Sequence, residues 1–124
     1  MRRKALGALV GAFVFLASML VAVPAQASTQ VVGFRVGAWH CPKGLGLGSL
    51  TGVDVSGTDV ATLNMSGRWR GSTTSAAQVR ITGVPPQGGK AWVVLTFWCW
   101  GGTPSPAQDY RWIYGSGQQP TYTI

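Results

Sequence analysis

The sequence predicts an all-β domain, folded as an antiparallel β-sandwich of about seven or eight short strands. Short runs of alternating apolar and polar residues recur between clusters of Gly, Pro and Ser, as is typical of strands joined by turns. Apolar residues do not recur over long stretches at the three-and-four spacing that an amphipathic helix requires. No internal repeat is present, so we favour a sandwich over a closed barrel.

The first 27 residues predict a secretory signal peptide. Residues 2–4 (RRK) are basic, an apolar stretch follows over residues 5–23, and residues 25–27 (AQA) match the small-x-small cleavage pattern. The apolar stretch is also long enough to span a bilayer of about 30 Å, so an uncleaved anchor is the alternative. Pro24 and the cleavage pattern favour cleavage, and hence a secreted, extracellular protein.

Residues 28–124 form one domain, which is too short to bury a large core. The sequence holds two cysteines, Cys41 and Cys99, and in an oxidising compartment these predict a disulfide. A disulfide between an early and a late strand allows an immunoglobulin-like architecture as one option, although Phe97 occupies the place of the tyrosine found in the tyrosine corner.

Turn residues and alternation place the strands along the chain. A bulge near Gly37 re-aims the first strand, and Gly57-Thr58 joins the second and third as a hairpin. Residues 77–82 show the clearest alternation, and residues 101–108, with two prolines, predict a loop. The predicted strands are residues 30–41, 50–56, 59–65, 68–70, 77–82, 91–100, 109–114 and 121–124.

The strand at residues 91–100 (AWVVLTFWCW) is apolar on both faces. A strand in a two-layer sandwich has only one inward face. The odd-numbered side chains suit the core, because they are mostly aliphatic and end in a cysteine. The even-numbered side chains are then left without a core to enter. We call them the tryptophan face: Trp92, Val94, Thr96, Trp98 and Trp100.

The tryptophan face has three interpretations from the sequence. Its rings can stack on the apolar C–H faces of sugars, can be covered by the loop at residues 101–108, or can form a homodimer interface. If residues 109–114 pair with this strand, they extend the aromatic surface, but the sequence leaves their register open by one residue. The candidate ligand-binding residues are Trp92, Trp98, Trp100, Tyr110, Arg111 and Trp112.

Catalytic and metal chemistry have little support in this sequence. His40 is the only histidine, and a hydrolase built on it would need partners that the sequence does not locate. Asp54, Asp59 and Asp109 are the only acidic residues, which is a poor set for a metal site or a glycoside hydrolase. We therefore predict no enzymatic activity, no bound metal and no cofactor.

The predicted domain is basic. Residues 28–124 carry seven Lys and Arg against three Asp, a net charge of +4. Outside the cell a basic surface favours a glycan or an anionic wall polymer, rather than nucleic acid. The sequence thus predicts a non-enzymatic binding protein for an extracellular or cell-wall ligand, with no stable membrane insertion after signal cleavage. The alternative is a secreted inhibitor or antimicrobial factor, acting on a protein or membrane through residues 43–48 or 85–90.

Overall fold

The computed structural model describes residues 26–102 and 104–124, so all but two residues of the predicted signal peptide lie outside the described part of the chain. The described chain is all-β, with about 60% of its residues in strands. The seven strands are β1 (Ser28–Arg35), β2 (Leu47–Gly57), β3 (Ser66–Thr73), β4 (Ala77–Val84), β5 (Gly89–Cys99), β6 (Pro104–Ile113) and β7 (Thr121–Thr123).

All seven strands belong to one sheet, in the order β6-β5-β2-β3-β4-β1-β7. Neighbouring strands are antiparallel, except that β7 pairs with β1 in parallel. The sheet is nearly closed into a barrel, with its apolar side chains inside. The described residues thus form one curled sheet, and not the two packed sheets that a sandwich or an immunoglobulin-like domain would have.

The length and irregularity of β2 explain why one curled sheet replaces the sandwich. Its 11 residues pair with β5 on one side and β3 on the other, and both ladders shift register between Leu50 and Gly52. Such irregularities increase the local twist and bend a sheet. A curled sheet encloses a core with a single inward face, so this small domain needs no second layer.

The alternation predicted for β5 is confirmed. Its odd-numbered side chains from Ala91 to Cys99 are all buried, whereas Trp92, Val94, Thr96 and Trp98 are partly exposed. The alternation of β4 is confirmed in the same way, with Ala77, Val79 and Ile81 inside. The largest fully buried side chains are Phe34, Phe97, Leu50, Met65, Ile81, Leu95 and Ile113.

The strand predicted at residues 59–65 is wrong. This segment contains a 3-10 turn at Val60–Thr62, and β2 instead pairs with β3. The Asp59 carboxylate accepts hydrogen bonds from the Thr62 backbone N–H at 3.0 Å and from the Thr62 hydroxyl at 2.9 Å. Such local side-chain bonds compete with a strand ladder, and alternation alone does not reveal them.

Two further boundaries differ from the sequence prediction. β1 ends at Arg35, and a 3-10 turn follows at Ala38–His40. β6 begins at Pro104, so most of the loop predicted at residues 101–108 is strand. Prolines are tolerated there because β6 lies at an edge of the sheet, where one side of the strand needs no ladder hydrogen bonds.

The predicted disulfide is confirmed. Cys41 and Cys99 are bonded, with their Cα atoms 5.5 Å apart. The bond links the segment after β1 to the end of β5, which are 58 residues apart in sequence. Over the described ranges, no helix has the length and apolar character needed to cross a membrane.

Candidate functional site

Four of the six candidate residues lie on the outer face of β5 and β6, and Lys90 lies there with them. The four are Trp92, Trp98, Tyr110 and Trp112. In the antiparallel ladder, Trp92 lies opposite Tyr110 and Lys90 lies opposite Trp112. Directly paired residues project to the same side of a sheet. Residues 109–113 therefore pair with β5, and the register that the sequence left open is defined.

Lys90, Trp92, Tyr110 and Trp112 form one group, which we call the Trp92 cluster. The Trp92 and Tyr110 rings have centroids 4.6 Å apart and are tilted by 56°. The Lys90 Nζ lies 4.4 Å from the centroid of the Tyr110 ring, which is a cation–π geometry. Tyr110 and Trp112 are about half exposed, so apolar ring surface remains open beside a cation.

Lys90 has no ionic partner among the described residues. The three aspartates are engaged elsewhere. Asp54 accepts two hydrogen bonds from Arg70 Nη2, at 3.1 and 3.0 Å, Asp109 pairs with Arg111 at 2.6 Å, and Asp59 caps the turn after β2. The positive charge of Lys90 is therefore not neutralised within the described chain.

Trp98 and Trp100 form a second aromatic group, the Trp98–Trp100 pair. Their centroids are 4.8 Å apart and their planes meet at 84°, so the rings pack edge to face and do not form a flat platform. The Trp98 ring lies against Gly48, where a Cβ atom would come within 2.1 Å of the ring. Trp100 is 57% exposed and offers the larger open surface. Trp92 and Trp98 are six residues apart, which places the two groups about 20 Å apart along β5.

Arg111 does not join either aromatic group. It lies on the opposite side of β6, at the gap between β6 and β7, where its Nη1 bonds Asp109 and its Nη2 donates to the Thr123 carbonyl at 3.1 Å. The Arg111 guanidinium and the Tyr110 backbone N–H hold the pKa of the Asp109 carboxyl below its usual value. Arg111 thus links β6 to β7 across the gap. Because side chains alternate along β6, Arg111 lies on the side opposite Tyr110 and Trp112.

Tyr122 crosses the same gap. Its hydroxyl donates a hydrogen bond to the Trp112 carbonyl, and Arg111 lies over its ring at 5.8 Å. Burial raises the pKa of the Tyr122 hydroxyl, and the neighbouring Tyr114 adds to this shift. A side chain from β7 therefore holds the backbone carbonyl of Trp112, which belongs to the Trp92 cluster.

The tryptophan face is not covered by the segment that follows it. Residues 104–108 run beside β5 as the first half of β6, with Pro104 opposite Trp98 and Gln108 opposite Val94. They extend the face sideways and leave its rings partly exposed. Lys90 was not among the predicted site residues, although its even number placed it on the same side of β5 as Trp92.

His40 lies at the disulfide end of the sheet. Its ring contacts Phe97, with centroids 5.5 Å apart, and Trp39, with centroids 5.3 Å apart. Its carbonyl lies 3.6 Å from the Cys99 sulfur. These contacts are those of a packed ring beside a disulfide. Within residues 26–102 and 104–124, no group of three or more His, Cys, Asp or Glu residues is placed to hold a metal ion.

No protein-family model, curated protein or solved structure shows a significant match to this chain.

Proposed function

We propose that this chain is a secreted, non-enzymatic protein that binds an extracellular glycan through the outer face of β5 and β6. In this proposal, residues 1–27 are a signal peptide that is removed on export. The observation that carries the proposal is the Trp92 cluster. Strand register brings three aromatic rings onto one open face, together with a lysine that has no ionic partner among the described residues.

Aromatic rings suit sugars because each sugar ring has an apolar C–H face and a polar rim. Tyr110 and Trp112 offer half-exposed ring surface for the apolar face. Their hydroxyl and indole N–H groups stand at the ring edges and can bond sugar hydroxyls. Such a site holds its ligand by stacking and needs no catalytic group.

Charge favours an anionic wall polymer over a neutral glycan. Lys90 lies over the Tyr110 ring without a carboxylate partner in the described chain. A sugar carboxylate or phosphodiester beside the ring would gain an ion pair that the protein itself does not supply. The net charge of +4 over residues 28–124 adds longer-range attraction.

The two aromatic groups favour an extended ligand. The Trp92 cluster and the Trp98–Trp100 pair lie about 20 Å apart on the same face. A polymer that reaches both gains a second contact at high effective concentration. We therefore expect affinity to rise when an oligosaccharide becomes long enough to span both groups.

Affinity electrophoresis in gels that contain acidic or neutral wall polysaccharides tests the proposal. Retardation of the wild type, lost when Tyr110→Ala and Trp112→Ala are combined, would support it. Trp39→Ala is the matched control, because Trp39 is an exposed tryptophan outside β5 and β6. The proposal is wrong if no polymer retards the wild type. It is also wrong if the wild type is a dimer that the double variant dissociates, since the face would then be an interface between copies.

A further inference from the structure

The outer edge of β6 carries backbone groups that no strand of the described chain pairs with. β6 lies at one end of the sheet order, and its backbone ladder is with β5 alone. Successive residues of a strand turn their N–H and carbonyl groups to alternate sides. Every second residue of β6 therefore turns both groups away from β5. Such an edge is a template to which another strand can add.

The even-numbered residues of β6 are the ones that face this open side. The Tyr110 N–H donates a hydrogen bond to Oδ1 of Asp109 at 2.8 Å, and the Tyr110 carbonyl accepts one from Nη1 of Arg111 at 2.7 Å. Both backbone groups of Tyr110 are thus occupied by the side chains of its two neighbours in sequence. Pro104 and Pro106 have the same parity and bring no N–H to the edge.

The rest of this edge is closed along almost its whole length. Over its first half, Pro104 and Pro106 lack the N–H that an added strand would need. Near its other end, the Trp112 carbonyl accepts a hydrogen bond from the Tyr122 hydroxyl. Among the described residues, Gln108 alone offers both a free N–H and a free carbonyl on this edge. One such residue is too little for a ladder, which needs several in succession.

Asp109 and Arg111 occupy Tyr110 as a unit. Their side chains form an ion pair, with Nη1 of Arg111 2.6 Å from Oδ2 of Asp109. The pair therefore fixes both the acceptor for the Tyr110 N–H and the donor to the Tyr110 carbonyl. Nη2 of Arg111 also donates to the Thr123 carbonyl at 3.1 Å, which anchors the pair to β7.

We infer that Asp109 and Arg111 close the β6 edge against strand addition, and that without them β6 pairs with the β6 strand of a second copy of this chain. Removal of both side chains frees the N–H and carbonyl of Tyr110 beside those of Gln108. A second copy fits the opened edge because two identical antiparallel strands satisfy the same groups on both chains about a two-fold axis. The inference concerns the edge of the sheet and does not depend on what its outer face binds.

Sedimentation velocity over a range of concentrations tests the inference with residues 28–124, which contain all seven strands and the disulfide. The test variant combines Asp109→Ala with Arg111→Ala. The control combines Asp54→Ala with Arg70→Ala, an exposed ion pair at 3.0 Å on β2 and β3, which are paired on both sides. Each variant removes one positive and one negative charge, so the net charge stays the same.

A third variant adds Gln108→Pro to the test variant. It removes one N–H from the opened edge and leaves the β5 ladder intact, because Gln108 has the same parity as Pro104 and Pro106. Amide hydrogen exchange gives a second readout, since pairing protects the N–H groups that face the new strand. Thermal melting establishes that each variant is folded.

We expect the wild type and the control to remain monomers, and the association constant of the test variant to rise about tenfold or more. The amides of Gln108 and Tyr110 should become protected in its dimers, and Gln108→Pro should restore the monomer. The inference is overturned if the test variant stays as monomeric as the wild type, or if the control associates equally. It is also overturned if Gln108→Pro leaves the dimer unchanged.

Asp109→Ala alone keeps the inference testable if the test variant folds poorly. This substitution frees the Tyr110 N–H and retains Arg111. We expect weaker association than in the test variant, with the Tyr110 amide becoming protected as the concentration rises. An amide that exchanges equally fast at every concentration would overturn the inference.

Discussion

Trp92 and Tyr110 lie directly opposite each other in the β5–β6 ladder, with ring centroids 4.6 Å apart on the outer face. Aromatic rings project from both strands at this one cross-strand position, and Lys90 lies over one of them. The pair therefore contributes both to the sheet and to the proposed binding surface.

The first prediction concerns the energy of this pair. Aromatic pairs contribute about 0.5–1.5 kcal/mol beyond the area they bury. A double-mutant cycle of Trp92→Ala and Tyr110→Ala, measured by urea unfolding, should show a coupling energy in this range. The same cycle with Tyr114→Ala in place of Tyr110→Ala should show almost none, since Tyr114 follows the end of β6. Equal coupling in both cycles would show that the effect does not come from ring contact.

The second prediction concerns alkaline pH. Burial raises the pKa of Tyr122 above its usual value of 10.0, so the folded state holds this proton more tightly than the unfolded state does. The stabilisation is fully present below about pH 10 and is lost as the pH rises through the folded-state pKa. We expect the free energy of unfolding to fall above pH 10 as the bond from Tyr122 to the Trp112 carbonyl is lost.

Tyr122→Phe separates this effect from general alkaline unfolding. The variant should be less stable near neutral pH by about 1 kcal/mol, because one hydrogen bond is missing. It should also lose less stability than the wild type between pH 9 and pH 11. A wild type and variant with parallel stability curves over this range would contradict the role given to Tyr122.

Alternation predicted the faces of β4 and β5 because each side chain there simply follows the pleat. The disulfide followed from the count of two cysteines. Alternation failed at residues 59–65, where Asp59 and Thr62 satisfy the backbone locally and Leu63 turns outward. A two-residue period carries no information about such bonds.

The sequence predicted which aromatic residues form the candidate site, but it did not predict how their side chains are arranged. The aromatic residues of β5 and β6 stand out in the sequence, yet the side of β6 that they occupy depends on register, which only pairing defines. Arg111 was named with the rings, but alternation along β6 puts it on the side opposite Tyr110 and Trp112, where it bonds Asp109. The Trp98 ring meets Trp100 at 84° and lies against Gly48, a residue of another strand, and alternation along β5 predicts neither contact.

The third prediction concerns the disulfide. Cys41 and Cys99 close a loop with a sequence separation of 58 residues, for which the chain-entropy model gives about 4 kcal/mol of stabilisation. The variant with both cysteines replaced by serine should therefore lose a large part of its stability, measured by urea unfolding. Reduction of the wild type should cause a loss of similar size. A double-serine variant as stable as the oxidised wild type would contradict the prediction.

The fourth prediction concerns the contact between Gly48 and Trp98. A Cβ atom at Gly48 would lie 2.1 Å from the Trp98 ring, so Gly48→Ala must move the indole away from β2 and disturb its contact with Trp100. We expect a loss of about 1–3 kcal/mol in the free energy of unfolding, which is typical of overpacking, and a changed near-ultraviolet circular dichroism spectrum. Gly102→Ala is the control, since a Cβ atom there comes no closer than 3.4 Å to its nearest neighbour. In a Trp98→Ala background the Gly48→Ala substitution should cost little, because the ring it displaces is gone; an undiminished loss there would show that Gly48 acts through the backbone and not through Trp98.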